Sequence, residues 1–154
     1  MQKISTLLWF DGKAEEAAKF YISVFKKGKI IQATIMSVTF ELFGQTFLAL
    51  NGGPAFKFTP AISLFVSCKT QKEVDTLWSK LTKGGKESRC GWLEDKYGLS
   101  WQIIPDILGT LLNDKAKRAI NAMMGMSKID VAALKAAAAG TALRSPKNTT
   151  KVVL

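Results

Sequence analysis

Hydrophobic and polar positions follow two different periods along the first third of the chain. The segment "ISTLLWF" (4–10) is an apolar, β-prone run that predicts a strand. Apolar residues recur every three or four positions over 14–25, which predicts an amphipathic helix. Strand-like segments follow at 29–44 and 46–53. This pattern predicts one module, residues 1–53, with a strand, a helix and a β-hairpin.

The second third repeats the same order of elements. A strand is predicted at 62–68, a helix at 70–85, and two further strands within 87–105. Superimposing the halves matches Gly44 to Gly98 at the hairpin turn. We therefore predict an α+β fold made of two similar modules. Module one covers about 1–53, module two about 61–105, and together they form one domain over 1–105.

The open faces of the two predicted sheets need a partner. Each module covers one face of its sheet with its helix, and the other face would expose a large apolar patch unless it were buried. Two such faces turned toward each other would make a cup-shaped mixed sheet, either within one chain or completed by strands exchanged between two chains. Its lining would be the residues that alternate away from the helices.

The remainder of the chain predicts a helical extension and a tail. Apolar residues at helical spacing indicate helices between 106 and 140. Ser127 to Asp130 resembles a capping box that opens a last helix ending at Gly140. Residues 141–154 have no consistent period and predict a flexible tail.

The chain contains no histidine. This removes the commonest general base, the commonest transition-metal ligand and every nucleophile that depends on a neighbouring imidazole. Cys68 and Cys90 match no metal-binding spacing, so buried free thiols are expected, with a reactive thiol as the alternative.

The net charge of +10 raises the alternative of nucleic-acid binding. The basic residues of the chain are scattered and form no arginine-rich cluster, so a solvated basic surface is favoured over a nucleic-acid site. No apolar stretch suits a membrane span or a signal peptide, and a cytoplasmic location is expected. The residues that a nucleic-acid site would use are Lys115, Lys117, Arg118, Lys128 and Lys135.

Three blocks carry a family resemblance. They are "LWFDGKAEEAAKFYISVF", "FELFGQTFLALNGGPAFKFTPAISLFVSC" and "CGWLEDKYGLSWQIIP". They resemble the PhnB-like, 3-demethylubiquinone-9 3-methyltransferase-like branch of the glyoxalase/bleomycin-resistance (vicinal oxygen chelate) superfamily, from about residue 4 to residue 140. The resemblance implies paired βαβββ modules, a cup-shaped cavity and a homodimer. The superfamily's enzymes hold a divalent metal in the cup with His, Gln and Glu ligands.

The resemblance places Gln102 where a metal-binding Glu is usual, four residues after Gly98. The usual first-strand His falls near Thr6, and its counterpart in module two near Ser63. Gln is a weak, neutral donor, so no metal or other cofactor is expected. The weak metal candidates are Gln102, Glu41 and Glu94.

Methyl transfer is also not expected. Binding of S-adenosylmethionine typically uses a glycine-rich loop after the first strand of an alternating βα chain, and neither the loop nor the element order is present.

The sequence predicts binding of a small organic molecule in an apolar cup. Gln102 is expected to face the cavity, so Trp101 must pack beneath a helix. The alternative is a metal-dependent lyase, isomerase or dioxygenase, and nucleic-acid binding ranks last. The candidate cavity residues are Gln102, Ser63, Thr6, Asn51, Trp9, Trp92, Glu41 and Glu94.

Overall fold

A computed structural model of the protein describes residues 3–141, so the predicted tail lies outside the described residues except for Thr141. The chain forms two modules of the same composition followed by helices. Module one contains β1 (Thr6–Phe10), α1 (Ala14–Phe25), β2 (Gly28–Ala33), β3 (Ser37–Leu42) and β4 (Gln45–Asn51). Module two contains β5 (Ser63–Cys68), α2 (Gln71–Thr82), β6 (Lys86–Glu87), β7 (Trp92–Glu94) and β8 (Ser100–Pro105). A 3-10 helix (Asp106–Thr110), α3 (Asn113–Met123) and α4 (Val131–Ala139) follow.

The two sheets have the same topology. Sheet A has the order β1-β4-β3-β2, and sheet B has the equivalent order β5-β8-β7-β6. The first and last strands of each module pair in parallel, and the remaining pairs are antiparallel. This repetition confirms the paired βαβββ modules. Within residues 3–141 no strand of one sheet pairs with a strand of the other, so the chain contains two four-stranded sheets.

The strands differ from the sequence prediction at two places. The segment 29–44 is two strands, because Thr34 closes a turn between β2 and β3. Its Oγ1 accepts a hydrogen bond from the Ser37 backbone N–H at 3.0 Å. Module two also has the two-residue strand β6, which is too short to give a pattern of its own.

The helix-covered sides of both sheets share one hydrophobic core. Helix α1 reaches across from module one, where the rings of Tyr21 and Phe25 each lie 5.3 Å from the Trp101 ring of sheet B. The opposite, open faces keep large apolar side chains in solvent, with Leu7 52% exposed and Phe65 61% exposed. The chain therefore joins its modules through their helix-covered sides.

The C-terminal helices form a second small core and dock on module two. The Gln71 amide, at the start of α2, donates to the Ile129 carbonyl at 3.0 Å and accepts from the Val131 N–H at 2.7 Å. The predicted capping box is wrong in its position. Asp130 is the N-cap of α4 and accepts from the Ala133 N–H, whereas the Ser127 carbonyl binds the Gly91 N–H. No helix in residues 3–141 has the length and hydropathy needed to cross a membrane.

Candidate functional site

A row of three side chains crosses the open face of sheet B. Gln102 on β8 lies opposite Phe65 on β5 and opposite Trp92 on β7. Directly paired residues project from the same face of a sheet, so the three side chains are neighbours. We call them the Gln102 row. Trp101, one position earlier, is 2% exposed on the other face, in agreement with the predicted alternation.

A polar row lies beside the Gln102 row on the same face. Ser63, Ser100 and Glu94 are paired across β5, β8 and β7. The Gln102 side-chain amide donates to the Ser63 hydroxyl at 2.9 Å, which links the two rows. Glu94 forms an ion pair with Lys86 at 3.1 Å. Four predicted candidates, Gln102, Ser63, Trp92 and Glu94, therefore lie together.

The equivalent row of sheet A is less polar. Leu7 lies opposite Leu48, and Leu48 lies opposite Thr39, at the positions that correspond to the Gln102 row. Glu41 occupies the next position on this open face, opposite Thr46. The acidic candidate Glu41 is thus on a different sheet from Gln102.

Two candidates lie on the helix-covered side of sheet A. Thr6 is opposite the buried Phe47, so the open-face position of β1 is Leu7 and the expected placement of Thr6 was one residue out of phase. Asn51 accepts a hydrogen bond from the Ala14 N–H at 2.8 Å through Oδ1. It satisfies the first turn of α1, which is a structural role.

Two clefts contain three of the candidate residues. A groove of about 440 Å³ runs along β5, with Ser63 and Phe65 in its wall. A second cleft of about 410 Å³ brings Trp9 and Glu94 to one site at the junction of the modules. There the Trp9 indole N–H donates to the Gly53 carbonyl at 2.9 Å, and its ring lies edge-on to Phe56.

The donor atoms do not fit the divalent metal that the family resemblance implies. Residues 3–141 contain no group of three or more His, Cys, Asp or Glu side chains able to hold a metal ion. Glu94 is engaged by Lys86, and Gln102 by Ser63. A neutral amide and a hydroxyl are poor ligands for a borderline metal ion.

The buried ionisable groups lie at the junction of the modules. Asp95 is 2% exposed, and burial raises the pKa of its carboxyl group, although hydrogen bonds from Trp101 and Tyr21 act in the opposite direction. Burial, followed by the charge of Asp95, raises the pKa of Tyr21. These groups lie on the side of the sheets away from the Gln102 row.

The two thiols differ in their surroundings. Cys68 is buried, as expected, and burial raises the pKa of its thiol to about 11. A thiol with so high a pKa is a weak nucleophile at neutral pH. Cys90 is only half-buried, which corrects the expectation for this residue, and its sulfur lies 3.5 Å from that of Met124.

Several of the basic residues considered for nucleic-acid binding have partners within the chain. Arg118 Nε donates to the carbonyls of Ala137 and Ala138 at the end of α4, each at 3.1 Å. Lys128 forms an ion pair with Asp75 at 2.7 Å.

Sequence reasoning missed Phe65, Leu7 and Ser100 on the open faces. Strand alternation carried outward from Gln102 would have found Ser100, two positions before it. The same alternation from Ser63 gives Phe65, two positions after it. The choice between Thr6 and Leu7 depended on the register between β1 and β4, which the sequence does not encode locally.

The fold and the sequence define the class of the protein. Residues 2–104 match the family model described as 3-demethylubiquinone-9 3-methyltransferase. A PhnB protein from Bacillus cereus is 39% identical, with a TM-score of 0.63, over 68% of this chain and 99% of that one. The chain belongs to this PhnB-like family.

More distant structures share the fold. A glyoxalase/bleomycin resistance protein from Albidiferax ferrireducens T118 is 14% identical, with a TM-score of 0.50, over 68% of this chain and 98% of that one. The fosfomycin resistance protein FosX from Listeria monocytogenes, complexed with Mn(II) and sulfate, is 12% identical with a TM-score of 0.52, over 68% and 90% of the two chains. The fold is therefore that of the glyoxalase/bleomycin-resistance proteins. The comparison with curated proteins found no match.

Proposed function

We propose that the protein binds a small, uncharged organic molecule on the open face of sheet B. The observation that carries this proposal is the Gln102–Ser63 hydrogen bond of 2.9 Å on a face whose neighbouring side chains are aromatic. Small-molecule sites typically combine apolar and aromatic walls with a few polar groups that fix orientation. A side-chain amide held by a hydroxyl supplies such a group.

We propose that a second copy of the chain completes the cup. The outer edges of β1 and β5 have no strand partner within residues 3–141, and unpaired strand edges favour pairing with another chain. Leu7 and Phe65 stay largely exposed on the adjoining open faces. Burial of apolar area contributes about 25 cal/mol per Å². In the proposed homodimer, the open face of module one from one copy covers that of module two from the other.

A screen of uncharged metabolites by thermal shift tests the binding proposal. A ligand that binds only the folded protein raises its melting temperature, and the rise grows with the ratio of ligand concentration to Kd. We expect stabilising compounds for the wild type and a reduced shift for Gln102→Leu. The matched control is Asn121→Leu, which removes an exposed amide from α3, a helix that belongs to neither open face, and should leave the shift unchanged. A screen without any stabilising compound would contradict the proposal.

A further inference from the structure

The two aromatic side chains of the Gln102 row differ from the other aromatic residues of the protein. Eight of the nine phenylalanine rings lie against another aromatic ring, and within residues 3–141 Phe65 is the exception. Three of the four tryptophans donate their indole N–H to an acceptor in the chain. Among the described residues Trp92 has neither an indole acceptor nor a ring contact. Both rings are therefore available for contact with a bound molecule.

Phe65 and Trp92 are spaced to hold one flat ring system. They flank Gln102 on the two strands next to β8. Neighbouring strands lie about 4.8 Å apart, so the two backbone positions are about 9.6 Å apart. An aromatic contact spans about 4.5–7 Å between ring centres, so two contacts through one inserted ring span about 9–14 Å. A single flat ring system fits between the two side chains.

The side-chain amide of Gln102, between the two rings, offers both a hydrogen-bond donor and an acceptor. One N–H of the Gln102 amide is used by Ser63, which leaves the amide oxygen as an acceptor and the second N–H as a donor. A glutamine amide pairs in this way with the donor and acceptor edge of a flat heterocycle, as it does with adenine.

The row carries no charged side chain. The nearest acid on the same face, Glu94, is neutralised by Lys86 at 3.1 Å. Burying an unpaired ligand charge here would be unfavourable, because no opposite charge would compensate for its lost hydration.

We infer that the ligand is an uncharged, flat heteroaromatic compound with adjacent donor and acceptor atoms, stacked between Phe65 and Trp92 and hydrogen-bonded to Gln102. This inference rests on the proposed function and specifies its ligand class. By family resemblance, Gln102 occupies the position of a metal-binding Glu. In this protein the Gln102 side chain instead binds the edge of a heterocycle.

Three matched compounds test the ligand class on the full-length wild type. Carbostyril, the lactam of quinoline, is flat and has both donor and acceptor. Its perhydro derivative keeps the lactam but is puckered, and quinoline is flat but lacks the donor. Titration followed by ligand-detected NMR should give the tightest binding for carbostyril. We expect the perhydro compound to bind about tenfold more weakly, because two ring contacts are lost. Equal affinity of the flat and the puckered lactam would overturn the inference.

Variants of the two rings locate the compound. Phe65→Leu and Trp92→Leu should each weaken carbostyril binding by about 2- to 10-fold, because each removes one ring contact. Trp92→Phe keeps a ring and should retain most of the affinity. Phe56→Leu is the matched control, since Phe56 is 67% exposed but lies in the other cleft. Unchanged binding in both ring variants would overturn the inference.

The failure of this inference can be separated from failure of the proposed function. Stabilisation by puckered or aliphatic compounds, without any by flat ones, overturns the ligand class and leaves the binding face intact. Absence of any bound organic compound overturns both. A third outcome is that Phe65→Leu and Trp92→Leu weaken dimerisation and no flat compound binds. The rings would then be occupied by the second copy, and the inference would be wrong.

Discussion

The hydroxyl group of Tyr21, on the helix of module one, donates a hydrogen bond of 2.8 Å to the carboxyl group of Asp95 in module two. Asp95 also accepts from the Trp101 indole at 2.8 Å and from the backbone N–H groups of Tyr97 and Leu99. The buried carboxyl group thus joins the two modules from the side opposite to the open faces.

Replacement of Tyr21 by phenylalanine should destabilise the protein. The change leaves a buried carboxyl group with one donor fewer, and such a loss costs about 1 to 3 kcal/mol. Urea unfolding at neutral pH measures it. Tyr97→Phe is the control, because the Tyr97 hydroxyl binds Glu16 at an exposed site, and a much smaller effect is expected. Equal effects of both changes would contradict the role of the buried bond.

The contribution of Asp95 to stability should depend on pH. Its pKa is raised above 3.8 in the folded protein, mainly by burial, so the folded state binds the proton more tightly than the unfolded state. The stability due to this group is therefore greatest at low pH and falls as the pH rises from 3.8 through the raised value. The free energy of unfolding of the wild type should fall over this range relative to Asp95→Asn. A free energy of unfolding of the wild type that rises with pH relative to Asp95→Asn would contradict the raised pKa.

Asn51 should matter for stability and not for ligand binding. Asn51→Ala removes the acceptor for the Ala14 N–H, and loss of such a cap costs about 0.5–2 kcal/mol. Asn51→Asp keeps this acceptor but loses the Nδ2 donor to the Ile35 carbonyl at 3.1 Å, so it should restore only part of the stability. The affinity for a screened ligand should be the same in all three proteins. If Asn51→Ala folds but no longer binds the ligand, Asn51 belongs to the ligand-binding site and this prediction is wrong.

Gly91 should tolerate substitution much less well than Gly98. Both have φ near +80°, where a non-glycine residue is strained by about 1–2 kcal/mol. A Cβ on Gly91 would also lie 2.8 Å from the Ile103 carbonyl oxygen, while one on Gly98 meets nothing within 4 Å. We expect the lower melting temperature for Gly91→Ala, with Gly98→Ala as its matched control. Similar melting temperatures would show that strain alone matters at both positions.

The repeated order of elements could be predicted because periodicity and turn residues are local properties. The helix over 14–25 and the alternation that buries Trp101 and directs Gln102 to the other face both follow from short stretches of sequence. The resemblance of the motifs then assigned the family, which the family model confirms.

The errors arose where distant segments set the structure. The phase of β1 depends on its register with β4, which places Leu7 rather than Thr6 on the open face. Asn51 caps α1 from 37 residues away along the chain, a contact without a local signal. The packing of α1 against sheet B likewise depends on contacts between the modules.

Native mass spectrometry of the full chain, purified without added metal and mixed with a stabilising compound from the screen, tests the central claim most directly. We predict a dimer that carries the organic compound, loses it in the Gln102→Leu variant and has no excess mass from a divalent ion. A monomer at all concentrations, or one tightly bound divalent ion per chain in place of the compound, would contradict the proposal.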